Sequence, residues 1–279
     1  MGRLVLCGTP IGNLDDVTLR ALRVLREADV IACEDTRRTR KLMARHGLPV
    51  PELIVLNEAT ERRRASELVA RVRSGATVVL VSDAGMPGIS DPGYRLVREC
   101  IDADLSVEVV PGPSAVTSAL IVSGLPPARY AFEGFLPRRP GDRRRRIVEL
   151  RGEVRTLVLF VSPHRLEDSL ADLLEVLGDR PAALARELTK LHEEVRRGPL
   201  AELLAEVRRD PPRGEMVLVV GGAGGPHRST ATPTELAHRA HELMERGVER
   251  SAALTEVARS AGVPRRTVFD ALVERRASE

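Results

Sequence analysis

The sequence predicts an α/β protein of two domains with a small all-helical, helix-turn-helix-like extension, and three observations carry that prediction. Short β-branched runs alternate with amphipathic stretches over the first 110 residues, the pattern of a mostly parallel sheet with helices on both faces. A second α/β pattern begins after the small-residue segment PGPSAVTSALIVSGLP (111–126). Beyond GGAGGPHRSTATP (221–233), a linker by composition, the remaining chain reads as helix. These changes put the domains at 1–112 and 113–225 and the extension at 232–279.

In the first domain RLVLC (3–7) reads as a strand, and 18–27 as a helix with Leu19, Leu22 and Leu25 on successive turns. A strand over 29–33 precedes a basic helix over 37–45 that ends at Gly47. Strand 52–56, helix 60–73 and strand 77–81 follow. A helix over 91–102 is expected next, with Asp91 as its N-cap and Pro92 in its first position. Strand 106–110 closes the series. In the second domain 156–161, 182–186, 193–197 and 215–220 read as strands, and 164–177 and 199–209 as helices. The extension contains ALTEVARSAGVPRRTVFDAL (253–272), two helices broken at Gly262. Arg265 and Arg266 stand where a recognition helix meets nucleic acid, although a plain packing hairpin has the same pattern.

Composition narrows the function. The 279 residues are 43% apolar, enough for a sizeable core, but only 2% aromatic with no Trp, so an aromatic platform for stacking bases is poorly provided. The net charge is only +3, yet RRPGDRRRR (138–146) packs six arginines into nine positions. Such a run is ordinarily a solvated face, and arginine adds the planar fork that bonds phosphate oxygens in pairs. Cys7, Cys33 and Cys100 lie far apart in apolar segments, as buried thiols in a reducing compartment would. No apolar run reaches membrane-spanning length and no signal peptide is evident, so a soluble cytoplasmic protein without membrane contact is expected.

The chemistry lies in the loops. In an open α/β sheet the ligand crevice lies outside the carboxyl ends of the strands. Four unusual segments fall at such ends: GTPIGNLDD (8–16), ACEDTRRTR (32–40), SDAGMPGISDPG (82–93) and VPGPSA (110–115). The third spends twelve residues where two to six ordinarily suffice, with three glycines for close approach and two aspartates as acceptors. No GxGxxG follows a strand, no P-loop is present, and the few histidines form no metal site. Glu34 and Asp35, at the tip of the second strand, are the best-placed proton acceptors. Arg37 and Lys190 can hold a phosphate or a developing alkoxide. Alternatively, Glu34 and Asp35 only cap the following helix and pair with its arginines.

These segments, followed in order by FEGFLPR (132–138), ARELTKLHEE (185–194) and RGEMVLVV (213–220), resemble the ribosomal RNA 2′-O-methyltransferases of the tetrapyrrole methylase superfamily. The resemblance spans residues 3–225, and the terminal helices resemble an extension that some members carry. It implies two α/β domains with S-adenosylmethionine in the cleft between them, a homodimer, and methylation of a cytidine ribose in the decoding region of 16S rRNA. By similarity, Ser82, Asp83, Ala84 and Ile89 contact the cofactor, with Pro10, Ser114 and Ala115. Weaker local similarity adds Val161 and Leu188. Glu34, Asp35 and Lys190 are then the catalytic candidates. Arg37, Arg138, Arg139, Arg143, Arg144, Arg265 and Arg266 would grip the RNA of the small ribosomal subunit.

Two other readings stay open at this stage. A methylase of the same superfamily could act on a small, precorrin-like molecule or a protein residue, although neither needs the arginine excess. A ligand-sensing domain joined to a DNA-binding helix-turn-helix would not be an enzyme, and absence of turnover would identify it.

Overall fold

The structure is a computed structural model, and it describes residues 2–224, 232–261 and 263–278. The chain divides into two compact units. The first comprises Met1–Val122, Ala185–Glu194 and Gly214–Val217, and the second comprises Ser123–Leu184, Val195–Arg213 and Leu218–Glu279.

The first sheet contains β1 (Arg3–Cys7), β2 (Val30–Cys33), β3 (Glu52–Val55), β4 (Thr77–Leu80) and β5 (Ser106–Val110), in the order β3-β2-β4-β1-β5. Every neighbouring pair is parallel, with Val5 opposite Val79 and Ile31 opposite Leu53. The connections are α1 (Leu19–Glu27), α2 (Thr36–Arg45), α3 (Glu61–Arg73) and α4 (Tyr94–Asp102), and α5 (Ala115–Ser123) follows the last strand. Strand side chains alternate between faces, so the sheet has two cores. Leu4, Val30, Val78 and Leu80 pack with Leu68 of α3 and Leu96 of α4. Val5, Ile31 and Val79 pack with Leu25 of α1 and Met43 of α2. Burial on both faces is why β2 reads as an unbroken apolar run.

Capping sets the helix starts. Thr18 caps α1 by accepting from Ala21 N, and Asp35 caps α2 by accepting from Arg37 N. The structure corrects the start of α4. It begins at Tyr94 behind Gly93, which has φ +134°, and Asp91 remains in the loop before it. An extended turn at positive φ suits glycine, so the Asp-Pro signature marks the end of the loop instead of a cap.

The second sheet contains β6 (Tyr130–Phe135), β7 (Thr156–Val161), β8 (Pro181–Arg186), β9 (Glu194–Pro199) and β10 (Met216–Val220), in the order β6-β7-β10-β8-β9. Its helices are α6 (Pro140–Glu149), α7 (Pro163–Leu177) and α8 (Leu200–Arg209). Two features differ from expectation. β6, whose Phe132 forms an edge-to-face pair with Phe160, is bulged between Phe132 and Gly134 and shows no clean alternation. The arginine run 138–146 is mostly the helix α6, with Pro140 in its first turn.

α9 (Pro233–Glu245), α10 (Arg250–Ala261) and α11 (Arg265–Ser278) surround a core of their own that includes Leu236, Leu254, Val257, Val268 and Leu272. Thr232 and Glu235 form a reciprocal capping box at the start of α9. The expected break at Gly262 and residues 225–231 of the linker lie outside the described residues.

Candidate active site

Three loops at the carboxyl ends of the first sheet are tied together by backbone. Gly8 N donates to Val110 O at 3.0 Å, and a Cβ on Gly8 would lie 2.7 Å from the Gly112 Cα, so only glycine permits this approach. Thr9 and Gly85 exchange two backbone hydrogen bonds of 2.8 and 3.0 Å, which clamp the first loop onto the segment 82–93. Gly85 makes this bridge at φ +82°. Thr9 Oγ1 also donates to Ser82 O at 3.1 Å, and Ser82 Oγ donates to Ala84 O at 3.2 Å.

The tip of β2 is bound to the same segment through a reciprocal pair. Asp83 N donates to Glu34 Oε1 at 3.1 Å, and Asp35 N donates to Asp83 Oδ1 at 3.0 Å. Asp83 Oδ2 lies 3.4 Å from Arg38 Nε. Burial, followed by the charge of Asp83, raises the Glu34 pKa above the ordinary carboxyl value. Asp91 is pushed up to about 7, chiefly by burial and then by the charge of Glu34. Asp35 behaves differently. It accepts hydrogen bonds from Arg37 Nε at 3.0 Å and Arg37 Nη2 at 2.6 Å, which hold it at about 2.

A cavity of about 360 Å³ opens beside these groups. Its wall includes Thr9, Pro10, Ile11 and Gly12 of the first loop, Arg38, Thr39, Lys41 and Leu42 of α2, Ser82, Asp83 and Ala84, and Lys190 with Glu215. Lys190 Nζ donates to Glu187 Oε1 and Glu215 Oε2, both at 2.9 Å. It therefore secures the segment that follows β8. That segment is strained, with Glu187 at φ +50° and Thr189 at φ +67°. Thr189 Oγ1 accepts from Asn13 N at 3.0 Å, joining the segment to the first loop.

The cavity thus brings together Pro10, Ser82, Asp83, Ala84 and Lys190 among the expected site residues. Glu34 and Asp35 beyond β2, Arg37 of α2, Ile89, half exposed, Ser114 and Ala115 at the start of α5, and Leu188 in the strained segment are absent from its wall, so Glu34 reaches the site only through its bond to Asp83 N. Val161 is buried at the end of β7, in the second unit. Of the expected RNA-gripping arginines, Arg143 is buried and paired with Asp172 at 2.6 Å, while Arg144 reaches Asp172 at 2.7 Å and Glu175 at 2.8 Å. Both therefore serve packing within their own unit, whereas Arg138 and Arg139 are exposed. Arg265 donates to Ser251 Oγ, and Arg266 lies 3.8 Å from Asp270. Arg37 is spent on Asp35.

Sequence reasoning missed Arg38, Lys41 and Asp91. The spacing of Arg38 and Lys41, three apart on a helix that starts at Thr36, was the available signal for the first two. Among the described residues no group of His, Cys, Asp or Glu could hold a metal, and no helix is long and apolar enough to cross a membrane. All three cysteines are free and buried, and burial pushes Cys7 up to about 12.

The tetrapyrrole (corrin/porphyrin) methylase family matches residues 3–204. Ribosomal RNA small subunit methyltransferase I of Thermotoga maritima is 49% identical over 223 residues, covering 80% of this chain and 99% of that protein. The protein of the same name from Mycobacterium tuberculosis strain H37Rv is 47% identical over 278 residues, covering 99% of this chain and 96% of the relative. Among solved structures, uroporphyrin-III-C-methyltransferase from Thermus thermophilus aligns with a TM-score of 0.55 at 28% identity, over 79% of this chain and 94% of that one. A structure of the Thermus enzyme complexed with S-adenosyl homocysteine aligns with a TM-score of 0.56 at 22% identity, over 79% of this chain and 97% of that one, a likeness of fold.

Proposed function

Since the chain belongs to the tetrapyrrole methylase family, and within it to the group of ribosomal RNA small subunit methyltransferase I proteins, we propose that it methylates the 2′-hydroxyl of a cytidine in the decoding region of 16S rRNA, using S-adenosylmethionine. The observation that carries this reading is the 47% identity over 278 residues to a relative so named, nearly end to end in both chains. A homodimer and a cytoplasmic location beside the ribosomal substrate belong to the same reading.

The residues at the strand ends fit the cofactor. S-adenosylmethionine is a cation at sulfur and carries hydroxyl groups and a flat base. The site offers the Asp83 carboxylate, the Ser82 and Ser114 hydroxyls and the apolar Pro10, Ala84, Ile89, Ala115 and Leu188. Gly85, at φ +82°, keeps the loop backbone open to close approach. When bound, the cofactor supplies an electrophilic methyl group on a sulfonium.

The chain's part is orientation and proton handling. A ribose hydroxyl is a weak nucleophile until its proton is accepted. Glu34 uses Oε1 to take the Asp83 N–H, so its Oε2 is the atom that accepts the ribose proton. Its raised pKa makes it a stronger base than an ordinary carboxylate. Asp35 is occupied as cap and partner of Arg37, and Lys190 holds the 187–190 segment to Glu215, so both are positioning groups. Much of the acceleration then comes from holding the two reactants in line.

The test is transfer of label from radiolabelled S-adenosylmethionine to small ribosomal subunits lacking the modification, followed by nucleoside analysis. Labelled 2′-O-methylcytidine is the expected product. Cofactor binding without labelled RNA would leave the family assignment standing and remove the substrate.

A further inference from the structure

The cavity wall carries cations that the chemistry above does not use. The basic side chains of α2, in TRRTRK (36–41), fall into two sets. Arg37 is bound to Asp35, and Arg40 donates to Thr36 Oγ1 at 3.2 Å, so both are engaged locally. Arg38 and Lys41, three residues apart and therefore on one face of the helix, both line the cavity. Arg38 touches Asp83 only through a 3.4 Å contact at Nε, and its side chain is 56% exposed. No ion pair or hydrogen bond engages the exposed side chain of Lys41 among the described residues. The wall holds three cations, Arg38, Lys41 and Lys190, against two carboxylates, Asp83 and Glu215. Lys190 and Glu215 satisfy each other, so the surplus positive charge sits on α2. It lies on the α2 side of the cavity, whose wall also holds Pro10 and Ser82–Ala84.

We infer that Arg38 and Lys41 form a subsite for a phosphodiester of the RNA substrate, holding it beside the ribose presented to Ser82–Ala84 and Glu34. The inference rests on the rRNA methylation reading and adds to it the contact that positions the acceptor. Arg38 supplies a planar fork and Lys41 a point charge, and phosphate oxygens accept from both.

The test is binding of wild type, Lys41→Ala and Lys41→Arg to unmodified small ribosomal subunits across a salt series, with S-adenosylhomocysteine affinity measured in parallel. Lys41 is exposed and has no partner among the described residues, so the alanine variant keeps its fold. Loss of one phosphate contact lowers the slope of log affinity against log salt by about 0.7 to 0.9. Roughly five- to tenfold weaker binding accompanies it near physiological salt. KM for subunits rises in proportion, Lys41→Arg recovers most of the loss, and S-adenosylhomocysteine affinity stays unchanged. An unchanged slope in an active Lys41→Ala enzyme overturns the inference alone. Weakened S-adenosylhomocysteine binding with unchanged RNA binding also overturns it, by assigning these cations to the cofactor. A wild type that transfers no label to subunits removes the methylation reading, and the inference with it.

Discussion

In α6 the guanidiniums of Arg143 and Arg144 converge on one buried carboxylate, Asp172, whereas at the tip of β2 three carboxylates, Glu34, Asp83 and Asp91, crowd together with Arg38 paired to only one of them. The first arrangement gives each guanidinium a carboxylate partner. The second leaves Glu34 shifted upward by burial and the charge of Asp83, and Asp91 by burial and the charge of Glu34. Arginine is abundant in both regions, so composition does not separate them. What separates them is whether the neighbours neutralise the charge. Matched charges hold a helix against its neighbour, and the less matched cluster includes Asp83, which lines the cavity.

The largest effect tests the structural side. Arg143→Ala leaves Asp172 buried beside a half-exposed Arg144, and the loss of a buried partner costs about 3 kcal/mol, read as a lower urea midpoint. Replacing both members with apolar residues, Arg143→Met with Asp172→Leu, recovers most of that loss. A loss of RNA affinity in the folded single variant would place Arg143 on the functional side and break the contrast.

Glu34→Gln tests the other region. The amide oxygen still accepts the Asp83 N–H, but no base remains, so single-turnover methyl transfer falls about 100-fold with S-adenosylhomocysteine affinity unchanged. In wild type the rate declines as pH falls through the raised Glu34 pKa, and that limb disappears in the variant. Equal rates would reduce Glu34 to a tie between two loops.

Asp91 gives a smaller effect whose sign follows from its pKa. The folded protein keeps this proton up to about pH 7, while the unfolded chain releases it near the ordinary value of 3.8. Folding therefore takes up a proton between those values, and stability declines as pH rises from about 4 to about 7. Asp91→Asn flattens that decline. Solvent screening of a partly buried group limits the gain at pH 8 to about 1 kcal/mol, measured by chemical denaturation at pH 5 and pH 8. The smallest effect is Arg145→Ala. Its exposed pair with Asp142 is worth less than about 0.5 kcal/mol, and its removal leaves the salt dependence of RNA binding as in wild type.

Much of this was legible in the residues themselves. Apolar runs announced the central strands of the first sheet, because a parallel strand covered on both faces must be apolar throughout while its connecting helix is apolar on one side. The four loop segments at strand ends stood out because glycine, proline and aspartate are costly in regular elements. β6 was missed because its bulge between Phe132 and Gly134 interrupts the alternation. Asp91 was misread because Asp-Pro before a helical pattern has the same local chemistry whether the helix starts there or at Tyr94.

The sequence by itself determined the order of elements, the two α/β patterns and the loops that carry the chemistry, since these depend on periodicity and backbone freedom within short windows. Tertiary structure alone decided which charges are satisfied. Asp172 lies 29 positions from Arg143, Asp83 lies 45 from Arg38, and Glu215 lies 25 from Lys190. Whether a charged side chain braces a helix or faces a substrate is set by partners that folding brings within a few ångströms, and no local pattern encodes that distance.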